Sequence, residues 1–288
     1  MGKFNNVYNL LQANDLPEIA TILKKVYKKN PHSKGSSSKM WKEQCSVNLP
    51  ILYLSSLYLN KYAKKKNYKH FLFAARDCCH WYKVYSKMYP TSKCTYFRCS
   101  RNMFKIASKY PRPYYRDYVE FCIKDNPVYI DIHGTGAHMI DYFTSTELPI
   151  PPCFFLSCGA DSYTELPEKS YLQHQKKKLH SLVFNAHGSP IEMLNYDLCG
   201  TLNDFDSDGP IFDKMEYSPS LIKPYHDCVE VFVDMLDPNH LDKKFSPKNI
   251  RDIIQYCFKP ISEIDQKPCI SDYVDHLRKH PHSLLTEF

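Results

Sequence analysis

Three short stretches of this chain carry side chains that can handle a phosphate. Arg76 and Asp77 follow the apolar run 71–75, and Ser100 and Arg101 follow CTYFRC at 94–99. Asp131 lies in VYIDI, 128–132, just ahead of His133, Gly134, Thr135 and Gly136. A Gly-Thr-Gly loop after a strand turns backbone N–H groups toward a helix start, a geometry that suits a phosphate. Arg76 and Arg101 can clamp phosphate oxygens with two hydrogen bonds each. Asp131 is the candidate for holding Mg²⁺ or the hydroxyls of a ribose, and Asp77 either orients Arg76 or acts as base. These two acids form the candidate catalytic pair. His133 and His138 flank the loop as candidate acid/base groups, the alternative being hydrogen bonds that merely hold it.

Three other constellations imitate known chemistry incompletely. Asp197-Leu-Cys-Gly-Thr-Leu resembles the nucleophile motif of haloacid-dehalogenase phosphatases, but the second acid, the general acid, is Cys199. Asp77 as nucleophile meets the same gap at Cys79. Asp204, Asp206, Asp208 and Gly209 start like a calcium loop, yet position twelve is Met215 instead of Glu, so the segment reads as a polar turn. Cys78 and Cys79 beside His80 suggest a thiol nucleophile only weakly, because adjacent residues on a turn point apart.

The elements that must position these groups alternate. Residues 5–30 read as one or two helices, 32–39 as a mobile loop, and 50–66 as an amphipathic helix. Strands are expected at 71–75, 94–100, 128–132 and 153–158, with helices at 81–89, 102–110, 114–124 and 137–145 between them. That alternation argues a parallel, doubly wound sheet, whose ligands bind at the carboxyl ends of the strands. Residues 179–186 read as helical, 189–219 as a Gly/Asp/Pro-rich stretch, 219–236 and 246–257 as helices, and the end of the chain as a loosely docked tail. Asn185, His187, Ser189 and Glu192 can close over the strand ends. Equally, Ser189, Pro190 and Glu192 make a helix cap.

Composition sets the outer limits. With 43% hydrophobic and 24% charged residues the chain can bury a core, and no apolar run is long enough for a membrane span. The opening stretch is too polar for a signal-peptide core, and Asn6 stands where myristoylation wants Ser or Thr. The twelve cysteines, with no CxxC among them, are therefore expected to be free thiols in a cytoplasmic compartment. Residues 1–180 hold 28 basic and 13 acidic side chains, and 181–288 hold 10 and 18, so net charges of +15 and −8 sum to +7. A basic N-terminal part can attract phosphate, nucleic acid or an acidic partner. Neither lysine run, 61–69 or 176–178, interleaves with aromatics as an RNA platform would, so no motif supports nucleic acid. Abundant Lys and 23 Tyr suggest an AT-rich genome, such as that of a large DNA virus or a protist.

Ile130-Asp131 before Thr135-Gly136-Ala137-His138 resembles the diphosphate-ribose loop of phosphoribosyltransferases, with Ile130 in place of its first acid and His138 in place of its last Thr. FLFAARDCCHWYKVY resembles that family's first strand and diphosphate loop, with Arg76 in place. Across about 50–200 the chain also resembles a domain that accompanies haloacid-dehalogenase-type hydrolases in bacterial polysaccharide gene clusters and has homologues in large DNA viruses. The features are Arg76-Asp77, Ser100-Arg101, Asp131 with Gly134-Thr135, and FNAHGSPIEMLNY at 184–196, while Cys78 replaces that family's usual Gly.

The expectation is an α/β protein with a Rossmann-like three-layer parallel sheet, a helical N-terminal segment (1–49), an α/β core (50–200) and a mostly helical C-terminal cap (201–288). Its expected partner is a phosphorylated sugar or nucleotide, held by Arg76, Arg101 and the 134–136 loop, with Mg²⁺ on Asp131. The alternatives are a phosphatase with Asp77 as nucleophile and a degenerate module that binds an acidic partner.

Overall fold

The structure, a computed structural model, describes residues 3–186, 189–215, 218–242 and 244–262. Four helices come first: α1 (Lys3–Ala13), α2 (Pro17–Lys28), α3 (Gly35–Glu43) and α4 (Leu49–Lys66). Then β1 (His70–Ala74), α5 (Cys79–Met88), β2 (Lys93–Phe97), α6 (Arg101–Ala107), α7 (Pro113–Cys122), β3 (Pro127–Gly134) and α8 (Ala137–Ser145) alternate. They are followed by β4 (Cys153–Cys158), α9 (Glu168–Gln175), β5 (Leu179–Phe184), the hairpin β6 (Leu202–Asp206) and β7 (Gly209–Phe212), then α10 (Pro219–Met235) and α11 (Pro247–Ser262). Among the described residues no helix is long and apolar enough to cross a membrane.

The chain forms two compact units, dividing within α4 and again within α5. One comprises 1–58, 83–90 and 215–288, and the other 59–82 and 91–214. The first is helical. Its α2 begins at Pro17 after Leu16, which has no side chain to cap the helix; the carboxylate of Asp242 accepts the N–H groups of Glu18 and Ile19 instead, at 3.2 and 3.1 Å. An acid at that position satisfies orphan donors and faces the positive end of the helix dipole. Trp41 is buried and donates its indole N–H to the Val26 carbonyl at 3.0 Å.

The second unit is built on a five-stranded parallel sheet of order β2-β1-β3-β4-β5, flanked by helices in the Rossmann-like three-layer arrangement that the alternation predicts. β1 and β4 are buried along their whole length, as strands covered on both faces must be, whereas the edge strand β2 is partly exposed. Lys64, Lys65 and Lys66 close α4, where cations meet the negative end of the helix dipole. All eleven described cysteines are free thiols.

Three local readings change. Residues 179–186 form a strand instead of a helix. LHSLVF has no punctuation to decide between them, and pairing with β4 from Cys153↔Leu179 to Cys158↔Phe184 does. The expected loop at 32–39 is helical from Gly35, because long-range packing of Met40 and Trp41 outweighs its loop-like composition. α9 was not foreseen at all; its polar sequence carries little periodicity. Residues 201–214 cluster with the sheet unit, and the expected tail beyond Ser262 lies outside the described residues.

Phe154, in the middle of β4, packs against Tyr62, Trp81 and His180 with ring centroids 5.4, 6.2 and 5.3 Å away. Phe154→Ala is expected to cost about 3–5 kcal/mol. A lower urea midpoint with an unchanged slope is the readout; a midpoint equal to wild type would mean that Phe154 is not a core residue.

Candidate functional site

The strand order places β2 on one side of β1 and β3 on the other, so the chain reverses direction across the sheet between β1 and β3. Loops leaving two such strands diverge, and their carboxyl ends frame a binding region. At β1, Ala75 still donates to the Phe97 carbonyl at 2.8 Å; the chain then turns, with Cys78 N–H on the Ala74 carbonyl at 3.0 Å. Arg76 and Asp77 occupy that turn. At β2, Ser100 caps α6: its Oγ accepts from Met103 N–H at 2.9 Å and donates to the Leu202 carbonyl at 2.6 Å. This fixes Arg101 in the first turn of α6.

β3 runs past the expected end at Ile132, so Asp131 lies within the strand. Its carboxylate accepts the Ile132 N–H at 2.8 Å and the Tyr129 hydroxyl at 3.1 Å. His133 Nδ1 meets Ser157 Oγ at 3.2 Å. Gly134 (φ 148°) and Gly136 (φ 74°) hold backbone angles that side chains disfavour, and a Cβ on Gly136 would lie 3.0 Å from the Phe155 ring. Gly136 directly precedes α8, so the 134–136 loop delivers the chain to a helix N-terminus as expected.

A further acid joins these groups. Glu192, from the 3-10 turn Ser189–Leu194 packed on β3, is only 8% exposed. Its carboxyl is pushed well above the usual range by burial and then by the charges of Asp77 and Asp131, opposed by Arg101 and Arg76. Asp131 rises to about 8 by burial and the charge of Asp77, opposed by Tyr129, the Ile132 N–H and Arg101. Asp77 rises to about 6 by burial, opposed by Arg76 and Arg101. Asp77 and Asp131 are half-buried by surface area, yet burial is the main reason their carboxyls hold protons. A carboxyl at a strand end can keep one edge toward solvent while protein fills most of its surroundings. Three carboxyls and two guanidiniums thus share one region, and the carboxyls retain protons among them near neutrality.

The two histidines differ. Burial and Arg101 lower His133 to about 4, which leaves it neutral and hydrogen-bonded near pH 7. His138 is half-buried and lowered by burial, Lys105 and Arg101. His133 is therefore no proton donor at neutral pH.

The imitation motifs adjoin the carboxyl cluster without adding an acid to it: Arg76 Nη1 donates to the Cys199 carbonyl at 3.5 Å, and the Cys78 thiol to the Ile130 carbonyl at 3.6 Å. Cys79 donates its thiol to Asp197 Oδ1 at 3.5 Å, and Asp197 faces Arg98 at 3.8 Å. Burial pushes the Cys78 thiol up, which leaves it a poor nucleophile. Asp206 Oδ1 accepts the N–H groups of Asp208 and Gly209 at 2.8 and 3.1 Å, so the calcium-like segment is the β6–β7 hairpin turn. The Arg76 guanidinium lies 4.6 Å from the centre of the Tyr196 ring, a packing contact that orients it. His187 and the side chain of Ser189 lie outside the described residues. Glu192 has two readings in the sequence, a cap or a residue closing over the strand ends; the signal for the second is a lone acid between apolar Ile191 and Met193.

Fold and strand-end residues define a Rossmann-like α/β protein with an Arg- and Asp-lined region at the switch point of its sheet. No family model matches the chain, and no curated protein matches it.

A carboxyl whose folded value is raised contributes stability that is complete below its unfolded value and is lost as pH rises through the folded one. For Asp131 that window runs from the ordinary 3.8 to about 8. Asp131→Asn stays neutral, so its melting temperature should gain on wild type between about pH 4 and pH 8 and level off above that. Parallel melting curves across that range would remove the buried carboxyl from the account.

Proposed function

We propose that this protein binds, and acts on, a phosphorylated sugar or nucleotide at the carboxyl ends of β1, β2 and β3. The observation that carries this reading is the placement of Arg76 after β1 and of Arg101 at the start of α6 after β2, beside the strand β3 that holds Asp131 and leads into the glycine loop. Arg76 and Arg101 take phosphate oxygens, and the 134–136 loop turns backbone N–H groups toward them. Asp131, with Asp77 and Glu192 near it, supplies oxygen donors of the kind that suit Mg²⁺. When bound, that ion neutralises phosphate charge and draws the carboxyls into their ionised form. Asp77, the most acidic of the three, is then the group able to accept a proton from a reacting hydroxyl or water. The residues behind the phosphoribosyltransferase and polysaccharide-cluster resemblances are largely the ones gathered here, which favours a phosphosugar or nucleotide over other anions.

A second reading, phosphate-ester hydrolysis with Asp77 as nucleophile, draws support from the proton that Asp131 holds near neutrality, which can replace the acid missing at Cys79. Trapping a phosphorylated Asp77 would separate it from transfer or simple binding.

Thermal-shift measurements with phosphoribosyl diphosphate, sugar phosphates and nucleotides, each with and without Mg²⁺, test the proposal. A ligand at about 100 times its dissociation constant stabilises by about 2.7 kcal/mol. The shift is expected to need Mg²⁺ and to vanish in Arg101→Ala and Asp131→Ala. No shift with any ligand, from folded protein, would sink the proposal and leave the binding module for an acidic partner.

A further inference from the structure

The surface that leads away from Arg101 carries features that a small phosphate ligand does not require. Arg101, Lys105 and Lys109 recur every four residues along α6 and its last turn, which continues through the bonds of Lys109 and Tyr110 N–H to the Ile106 carbonyl. Side chains spaced by four lie on one helix face, about 6 Å apart along the axis. The step from Arg101 to Lys105 is also electrostatic, since both cations depress His138. Lys105 and Lys109 are exposed, and neither pairs with an acid among the described residues.

Where this cationic row ends, aromatic rings stand in solvent. Tyr110 is 61% exposed, Tyr114 52% and Phe121 71%. Tyr114 and Phe121 are seven residues apart on α7, two turns along one face, and Lys124 lies 5.9 Å from the Phe121 ring centre. Other aromatics of the segment, Tyr115 and Phe104, are buried in the core, so exposure here is selective. Segment 101–124 holds six basic residues (Arg101, Lys105, Lys109, Arg112, Arg116, Lys124) and two acids (Asp117, Glu120), a net of +4. Arg112 and Arg116 are already paired, with Asp204 and Glu120.

We infer that α6 and α7 form a platform for a single-stranded oligonucleotide whose terminal phosphate occupies the strand-end region, an inference that rests on the phosphate-binding proposal above. The cationic row tracks the phosphodiester backbone, and Tyr110, Tyr114 and Phe121 offer flat faces to unstacked bases. A duplex keeps its bases stacked and gives these rings nothing to cover. An acidic peptide would use the lysines and leave the aromatic faces unmatched.

The test is fluorescence anisotropy of the full chain with a labelled short oligothymidylate carrying either a terminal phosphate or a terminal hydroxyl. The same strand as a duplex, and heparin as a polyanion without bases, serve as comparisons. A nucleoside monophosphate thermal shift runs in parallel as the readout of the strand-end region alone. The single strand should bind more tightly than the duplex or heparin. Tyr110→Ala and Tyr114→Ala should each weaken it about tenfold while leaving the monophosphate shift unchanged. Lys105→Glu with Lys109→Glu should flatten the salt dependence, by about 0.7 in logarithmic slope per lost phosphate contact. Arg101→Ala should erase the preference for a terminal phosphate. Tyr110, Tyr114, Lys105 and Lys109 are exposed, so unchanged melting temperatures of their variants would confirm folding, while Arg101→Ala is compared through its binding of the two oligonucleotide ends only. Equal binding of heparin and single strand, or tyrosine variants that bind like wild type, would overturn the platform. A monophosphate shift without oligonucleotide binding overturns it too, while leaving the phosphate site standing; loss of both removes both.

Discussion

The strand-end region is governed by one constraint: like charges held where water is scarce. Burial raises the proton affinity of Asp77, Asp131 and Glu192; the charge of Asp77 adds to it at Asp131, and the charges of Asp77 and Asp131 add to it at Glu192. An isolated buried carboxylate costs several kcal/mol, so such a cluster persists only with compensation. Arg76 and Arg101 supply opposite charge from two different loops, and Tyr129 and the Ile132 N–H hold Asp131 directly. Protons retained by the carboxyls complete the balance. The phosphate and cation of the proposed function would meet the guanidiniums and the acids of this region respectively.

The sheet makes that arrangement possible. β1 and β3 are neighbours, in register from His70↔Pro127 to Phe73↔Ile130, and both are largely buried. Residues at their carboxyl ends are therefore held close by rigid structure, while the loops beyond them are free to carry polar groups. The Ser100 cap on the Leu202 carbonyl ties the start of α6 to the β6 strand, which fixes the origin of Arg101. Gly136 provides the sharp entry into α8 that a residue with a side chain would obstruct at Phe155. Each of these devices belongs to the sheet unit, so the candidate site is assembled within one compact part of the chain.

The first residue of α6 contributes to the strand-end charge balance; Lys105 is exposed on the same helix, and Lys109 and the rings of Tyr110, Tyr114 and Phe121 are exposed beyond it. A row at four-residue spacing reads as scattered charge along the sequence and as a line only on the helix. The lysine runs at 61–69 and 176–178 stand out along the sequence, whereas Lys105 and Lys109 do not.

The α/β class, four of the five parallel strands and the positions of Arg76, Asp77 and Arg101 just beyond strands, with Asp131 inside one, were legible in the sequence. Those features rest on local patterns: short apolar runs, Gly and Pro punctuation, and polar residues that must leave a buried strand. Tertiary structure alone decided the rest. β5 is a strand because β4 offers it a hydrogen-bonding edge, and LHSLVF has no preference strong enough to say so. Glu192 joins Asp77 and Asp131 because a turn more than fifty residues away in sequence packs on β3. Proton affinities depend on burial and on neighbours brought from distant segments, so the raised values of Asp131 and Asp77 and the lowered value of His133 were invisible until the chain was folded.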